Sequence, residues 1–251
     1  MFGSMTMSNP LTAAAVIPGI VLLVYIYRMD KLEREPVSLL ISLAIWGVLS
    51  TIIAALLEGI GENVLALFFG QETSEIRALA EYFLVVGLAE EWSKYMMLKR
   101  YSWRHPAFDC RFDGVVYAVV VSLGFAIFEN VGYVAMYGMS TALIRAVTAV
   151  PGHACFGAFM GLYYGAAKEK FVNGEMKASS SLRNKAVIVP MLWHGAYDYL
   201  ATRSGTAGLA FFPFVVIMFI IVLVKIHRSA KNDHYFSSGR DIEYYLFNNR
   251  F

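Results

Sequence analysis

Seven long apolar segments recur along this chain, and they constrain its fold more than any other feature. Their approximate bounds are 11–27, 37–60, 76–98, 114–137, 142–167, 186–201 and 207–226. About 20 apolar residues in a helix cross the roughly 30 Å hydrocarbon core of a bilayer, and most of these segments approach that length, the sixth being short. The composition agrees, because 58% of the residues are hydrophobic and 16% are charged, against about 25% charged in soluble domains. The sequence therefore predicts an all-α membrane helix bundle with about seven spans.

Lysine and arginine are concentrated in alternate loops, and this pattern predicts the orientation of the bundle. Three loops at 28–36, 99–113 and 168–185, together with the segment from 225 onward, hold 17 of the 21 basic residues. The intervening loops hold only Arg77, Arg145 and Arg203. Because basic loops stay on the cytoplasmic side, we expect the N-terminus outside and the C-terminus in the cytoplasm.

The chain is predicted to form one integral membrane domain, residues 1–230, followed by a cytoplasmic tail, residues 231–251. No lysine or arginine precedes the first apolar segment, so we interpret that segment as a retained span and not as a cleaved signal peptide. The sequence has no glycine-rich phosphate loop, internal repeat or basic aromatic patch. This argues against nucleotide and nucleic-acid binding. The two cysteines, Cys110 and Cys155, do not indicate a disulfide framework.

Charged, amide and imidazole side chains lie well inside four of the apolar segments. They are Glu90, Glu91 and Lys94 in the third segment, Glu129 and Asn130 in the fourth, His153 in the fifth, and His194 and Asp198 in the sixth. A charged residue at the centre of a bilayer costs about 2.5–3.5 kcal/mol even on insertion scales. At about 1.5 Å of rise per residue, these side chains all lie roughly 12–20 Å from the cytoplasmic helix ends. We therefore expect the four helices to converge on one polar cavity.

The local spacing of these residues supports convergence. Lys94 lies four residues after Glu90 and three after Glu91, so it can neutralise a carboxylate on its own helix. His194 and Asp198 are four residues apart, which lets the carboxylate orient the imidazole.

Each feature alone has a simpler structural interpretation. The stripe His153, Gly157, Gly161 and Gly165 is by itself a packing surface for a neighbouring helix. A single buried histidine such as His153 is more often an interhelical hydrogen-bond donor than a catalytic residue. Glu90 with Lys94 alone is also consistent with a structural ion pair. The coincidence of such groups on four helices favours a functional site.

Five other acidic residues have simpler predicted environments. Glu58, Glu62 and Glu81 lie near outer helix ends and are expected at the membrane interface. Asp109 and Asp113 lie in a basic loop and are expected to be solvated.

Four motifs follow one another on successive segments. They read Glu90-Glu91-x-x-Lys94, Phe125-x3-Glu129-Asn130, His153-x3-Gly157-x3-Gly161 and His194-x3-Asp198. In this order they resemble the PrsW family of bacterial intramembrane proteases, which is related to the CAAX prenyl endopeptidases, and the resemblance runs from about residue 80 to 200. It implies a bacterial plasma-membrane protease that makes the first cut in a single-pass membrane protein, such as an anti-sigma factor.

The motif residues are the predicted site. We assign Glu90, Glu91, Glu129, Asn130, His153 and His194 as catalytic, with Lys94, Asp198 and Phe125 as supporting residues. Peptide hydrolysis needs an activated water, oxyanion stabilisation and a proton for the leaving amine. Glu90 is the predicted general base, with Glu91 supporting it or exchanging roles.

The two histidines leave two mechanisms open. In one, His153, His194 and one of Glu129, Glu90 or Glu91 bind a divalent metal, since a catalytic zinc site takes three protein ligands. In the other, the histidines and Asn130 polarise the carbonyl without metal. The PrsW family is usually grouped with metalloproteases, so the resemblance favours the first mechanism. It implies zinc as the metal, with Glu129 as the third ligand beside His153 and His194.

The polar residues of the apolar segments exclude some other protease chemistries and leave two other functions open. The sequence has no H-E-x-x-H zinc motif, and Asp198 is the only aspartate within a segment, which excludes an aspartyl dyad. A transporter or proton relay would use the same buried groups, and a non-catalytic membrane scaffold would retain them for packing. Both stand as alternatives.

Overall fold

The structure, a computed structural model, describes residues 9–70 and 74–236, and its regular secondary structure within these ranges is helical. The helices are α1 (Asn9–Met29), α2 (Val37–Phe69), α3 (Glu75–Ala80), α4 (Leu88–Ser102), α5 (Asp113–Tyr137), α6 (Met139–Val147), α7 (Ala149–Val172), α8 (Met176–Ala201), α9 (Gly205–Leu209) and α10 (Phe211–Lys231). A π-helical segment, Glu81–Gly87, joins α3 to α4. The predicted all-α fold is confirmed.

Five candidate membrane spans meet the length and hydropathy that a crossing requires within the described part of the chain. They are Pro10–Met29, Val37–Phe69, Asp113–Tyr137, Met139–Val172 and Phe211–Lys231. The third and sixth predicted segments are also helical, at 75–102 and in α8. The seven-span count and the orientation stay predictions.

The centre of the bundle is formed by α5 and α7, which are the most buried of these helices. Small residues let their backbones approach: a Cβ placed on Gly161 would lie 2.4 Å from Cα of Val115. The same holds between α2 and α5, where a Cβ on Gly124 would lie 2.2 Å from the carbonyl oxygen of Ala44. Real Cβ atoms do not come this close, so glycine is required for this packing.

The π-helical segment packs against α8 just before the glutamate pair of α4. A Cβ on Gly195 would lie 2.7 Å from the ring of Phe83, and one on Gly87 would lie 3.1 Å from the carbonyl oxygen of Met191. A π-helical turn shifts the face of the helix that follows it. This close approach places His194 of α8 beside the first turn of α4.

The chain after α10 packs on the loop between α4 and α5. The amide of Phe236 donates to the carbonyl of Asp109 at 2.7 Å, and the Phe236 side chain is buried against Phe108. The first residues of the predicted tail, 231–251, are thus packed against the bundle. Residues 237–251, like the opening residues 1–8, lie outside the described chain.

Candidate active site

Lys94 lies at the centre of the predicted site. Its Nζ donates to Oε2 of Glu90 at 2.9 Å and to Oε1 of Glu91 at 2.8 Å, and it contacts Nδ1 of His153 at 3.1 Å. All four side chains are buried, and the ring of Phe125 covers the ammonium at 4.0 Å. One lysine thus joins groups from α4 and α7, because charges at this depth require partners inside the protein.

His153 holds a defined tautomer. An ammonium group only donates hydrogen bonds, so Nδ1 of His153 accepts from Lys94 and the ring proton is on Nε2. That nitrogen donates to Oε2 of Glu129 at 3.0 Å. The sequence placed Glu129 and His153 at one depth, and the structure brings them into contact.

His194 lies between two carboxylates. Its Nδ1 contacts Oε1 of Glu91 at 2.9 Å, and its Nε2 lies 3.2 Å from Oδ2 of Asp198. The ring stacks on Phe156 at 4.6 Å and lies 5.2 Å from the ring of His153, centroid to centroid. The i,i+4 contact expected between His194 and Asp198 is present.

Arg145 is a site residue that sequence reasoning missed. Its Nη2 donates to Oε2 of Glu129 at 2.7 Å, and its Nε donates to Oδ1 of Asn130 at 3.0 Å. The Asn130 amide also donates to the carbonyl of Ala15 at 2.8 Å. Both ends of that amide are therefore engaged. The sequence counted Arg145 only as a basic residue of an outer loop, and its one signal was its position just before the histidine helix.

A cavity of about 500 Å³ leads to the cluster. Its walls come from α2, α4 and α5, and include Thr51, Ile52, Leu56 and Phe128. Glu90 and Glu129 line it, whereas Glu91 is fully buried behind them. The cavity therefore gives a reacting group access to Glu90.

The acids predicted at outer helix ends have separate environments. Glu58, expected at the membrane interface, is half-buried and lines the same cavity as Glu90 and Glu129. Glu62 and Glu81 both accept from Arg77, at 3.0 and 2.8 Å. The prediction that Asp113 is solvated is wrong, because its side chain is fully buried at the start of α5.

The side chains of the cluster have the chemistry of divalent-metal ligands, and three of them are held by the ammonium of Lys94 in this structure. Glu90, Glu91, His153 and His194 each offer one ligand atom, and these atoms all lie within 4.8 Å of one another. Carboxylate and imidazole are ligands of catalytic zinc sites. Oε2 of Glu91 has no hydrogen-bond partner although it is buried, so it has a free lone pair for a cation. Glu129 is outside this group, on the far side of the His153 ring.

Comparisons with known proteins cover the whole site. A family whose sequence model is described as "PrsW family intramembrane metalloprotease" matches residues 35–225. Similar proteins named "Protease PrsW" include those of Oceanobacillus iheyensis, 33% identical over 88% of this chain and 96% of the relative, and of Geobacillus kaustophilus, 32% identical over 87% and 92%. The protein of that name from Bacillus subtilis is 31% identical over 86% of this chain and 94% of its own. No solved structure matches the chain.

Proposed function

Because the chain belongs to the PrsW family of intramembrane metalloproteases, we propose that it makes the first cut in a single-pass membrane protein such as an anti-sigma factor. Family membership makes the chain a peptide hydrolase and a multi-pass protein of a bacterial membrane. The observation that carries the proposal is the position of Glu90, whose carboxylate is bound to Lys94 on one side and lines an accessible cavity on the other.

Glu90 is the general base in this mechanism. Of the adjacent glutamates it alone lines the cavity, so it can take a proton from a water placed against the scissile carbonyl. It then returns that proton to the leaving amine. Glu91 keeps its charge next to Lys94 and His194 and holds both in place.

We propose zinc as the metal, held by His153, His194 and a glutamate. His153 would bind it through Nδ1, so zinc binding would require Lys94 to release that nitrogen, which it contacts at 3.1 Å. Glu91 is the third ligand in this proposal, because Glu90 is kept as the base and Oε2 of Glu91 has no hydrogen-bond partner. Glu129 positions His153 through its Nε2 hydrogen bond. A bound zinc ion would polarise the scissile carbonyl as a Lewis acid. Asp198 orients His194 from the other side.

The substrate approaches from the lipid side in this proposal. The cavity lies between α2 and α5, and its walls are largely apolar, with Ile52, Leu56 and Phe128 among them. These three side chains are exposed on the surface of the bundle. A transmembrane helix of a single-pass protein fits such a surface, once its backbone is unwound near Glu90.

The proposed topology has seven crossings, with the N-terminus outside. The helical segments at 75–102 and Met176–Ala201 supply the two crossings that their polar residues make less apolar. Among those polar residues, Glu90, Glu91, Lys94 and His194 are buried and contact one another. The basic loops support the cytoplasmic C-terminus.

Cleavage of a tagged single-pass anti-sigma factor, co-reconstituted with the purified protein in liposomes, tests the function. We expect cleavage by the wild type and a 10²- to 10⁴-fold slower rate for Glu90→Gln, as for loss of a general base. Glu175→Gln is the matched control, because Glu175 is exposed and paired only with Lys170. Wild-type rates for Glu90→Gln would remove it as the base. No cleavage of any single-pass substrate by the folded wild type would overturn the proposal and favour a scaffold or proton relay.

A further inference from the structure

A second cluster of buried carboxylates lies away from the active site. Asp30 follows α1, Glu35 precedes α2 and Asp113 begins α5, and their exposed fractions are 5%, 1% and 0%. Each offers one oxygen, and these oxygens all lie within 4.8 Å of one another. Three segments that are distant in sequence thus bring acids to one point.

Each of these carboxylates has an oxygen without a hydrogen-bond partner. They are Oδ2 of Asp30, Oε1 of Glu35 and Oδ1 of Asp113. The other oxygens are held: Oδ2 of Asp113 accepts from the amide of Cys110 at 2.6 Å, and Oε2 of Glu35 accepts from the Tyr117 hydroxyl. These bonds fix the orientation of Glu35 and Asp113. The two side chains also lie within hydrogen-bonding distance of each other, so they can share a proton when no cation is bound.

Within residues 9–70 and 74–236, the lysine and arginine salt bridges go to other acids and not to Asp30, Glu35 or Asp113. The nearby buried cation, Lys168, interacts with the charge of Asp113, but its ammonium donates to the carbonyl of Trp103 at 2.6 Å and forms no ion pair with the cluster. Buried carboxylates without a counter-charge are strongly unfavourable. Burial accordingly raises the pKa of Glu35 to about 7 and that of Asp30 to about 6. A ligand that carries positive charge would relieve this penalty.

We propose that Asp30, Glu35 and Asp113 form a binding site for a hard divalent cation of the Mg²⁺ or Ca²⁺ class. All the donors are oxygens, which such cations prefer. The Tyr117 hydroxyl and the Ala107 carbonyl that accepts from it offer further oxygens nearby. The site is separate from the catalytic cluster, because Asp113 and Glu129 are 16 residues apart on α5, or roughly 24 Å.

The cation would add a link between the end of α1, the start of α2 and the start of α5, which already packs against both helices. The loop before α5 is also bound to the chain after α10, where the amide of Phe112 donates to Asp233 at 2.8 Å. A cation at Asp113 would therefore stabilise this end of the bundle, and its release would loosen the contacts of residues 232–236. This role is independent of the proposed proteolysis.

Terbium luminescence of the purified full chain tests the site. Tb³⁺ replaces hard divalent cations, and Tyr117 next to Glu35 sensitises its emission at short range. With chelator-treated protein in detergent, we expect a saturable Tb³⁺ signal that Ca²⁺ or Mg²⁺ displaces. Asp30→Asn/Glu35→Gln should lose at least 90% of the signal, and Glu90→Gln/Glu91→Gln should retain it. Glu175→Gln is the control for surface acids.

Three results would overturn the site. One is the absence of a saturable, displaceable signal from folded wild type between pH 7 and 8, which would indicate a cluster that shares protons. Another is an unchanged signal in Asp30→Asn/Glu35→Gln. The third is a signal lost in Glu90→Gln/Glu91→Gln, which would place the ion in the catalytic cluster. If the double variant does not fold, Glu35→Gln alone takes its place, and the wild-type result still decides.

Discussion

The guanidinium of Arg145 donates to the carboxylate of Glu129 at 2.7 Å, and this bond connects the short helix α6 to the candidate active site. Glu129 in turn accepts from Nε2 of His153, so Arg145 holds the histidine through one intervening carboxylate. Its other donor contacts Asn130, and its guanidinium lies 3.8 Å from the ring centroid of Tyr133. We therefore expect Arg145 to act as a positioning residue for His153.

Replacement of Arg145 should slow cleavage without abolishing the fold. We expect Arg145→Ala to lower kcat by about 10- to 100-fold, the usual effect of losing a partner that orients a ligand. Arg145→Lys should recover part of this loss, because a lysine can still pair with Glu129. Separate kcat and KM values from the liposome assay check this. An equal loss for alanine and lysine, with a lowered melting temperature in both, would indicate a structural role only.

Removal of the Lys94 ammonium from the centre of the site should destabilise the protein strongly. Lys94→Met leaves the carboxylates of Glu90 and Glu91 buried with one partner fewer, and breaking a buried ion pair costs about 3–5 kcal/mol. The triple variant Lys94→Met/Glu90→Gln/Glu91→Gln should recover much of that stability, because no uncompensated charge is left. Thermal unfolding in detergent measures both. A Lys94→Met variant as stable as the wild type would disprove this account of the cluster.

Metal analysis should separate the two mechanisms that the histidines allow. We expect about one zinc ion per chain in the purified wild type, as in a catalytic site with three protein ligands. His153→Ala/His194→Ala should lose it, and a zinc chelator should stop cleavage by the wild type. Elemental analysis after gel filtration provides the measurement, with Glu175→Gln as the control. A zinc-free wild type that still cleaves would leave glutamate and histidine to act without metal.

The close packing of α5 on α7 should be sensitive to a single methyl group. Gly161→Ala places a Cβ 2.4 Å from Cα of Val115, and overpacking of this kind costs about 1–3 kcal/mol. Gly132→Ala on α5 is the matched control, because nothing lies within 4 Å of its Cβ position. That change should be neutral or stabilise by up to about 1 kcal/mol through helix propensity. Equal melting temperatures for the two variants would contradict the packing.

Much of the site was predictable because a helix converts spacing into depth. The rise per residue placed Glu90, His153 and His194 in one layer, and the period of 3.6 placed Lys94 and Asp198 beside their partners. The structure brings all of these groups together. The glycine stripe, predicted as a packing surface, lies against α5.

The sequence by itself determined the helical fold, the family and the depth of the polar groups, because each of these depends on local pattern. Only the tertiary structure decided which faces meet. Depth does not specify rotation about the helix axis, and the π-helical turn at Glu81–Gly87 changes that rotation just before Glu90. The partnership of Arg145 with Glu129 and the burial of Asp113 likewise depend on how neighbouring helices cover a loop or a helix end. Such covering follows from long-range packing, which no local spacing records.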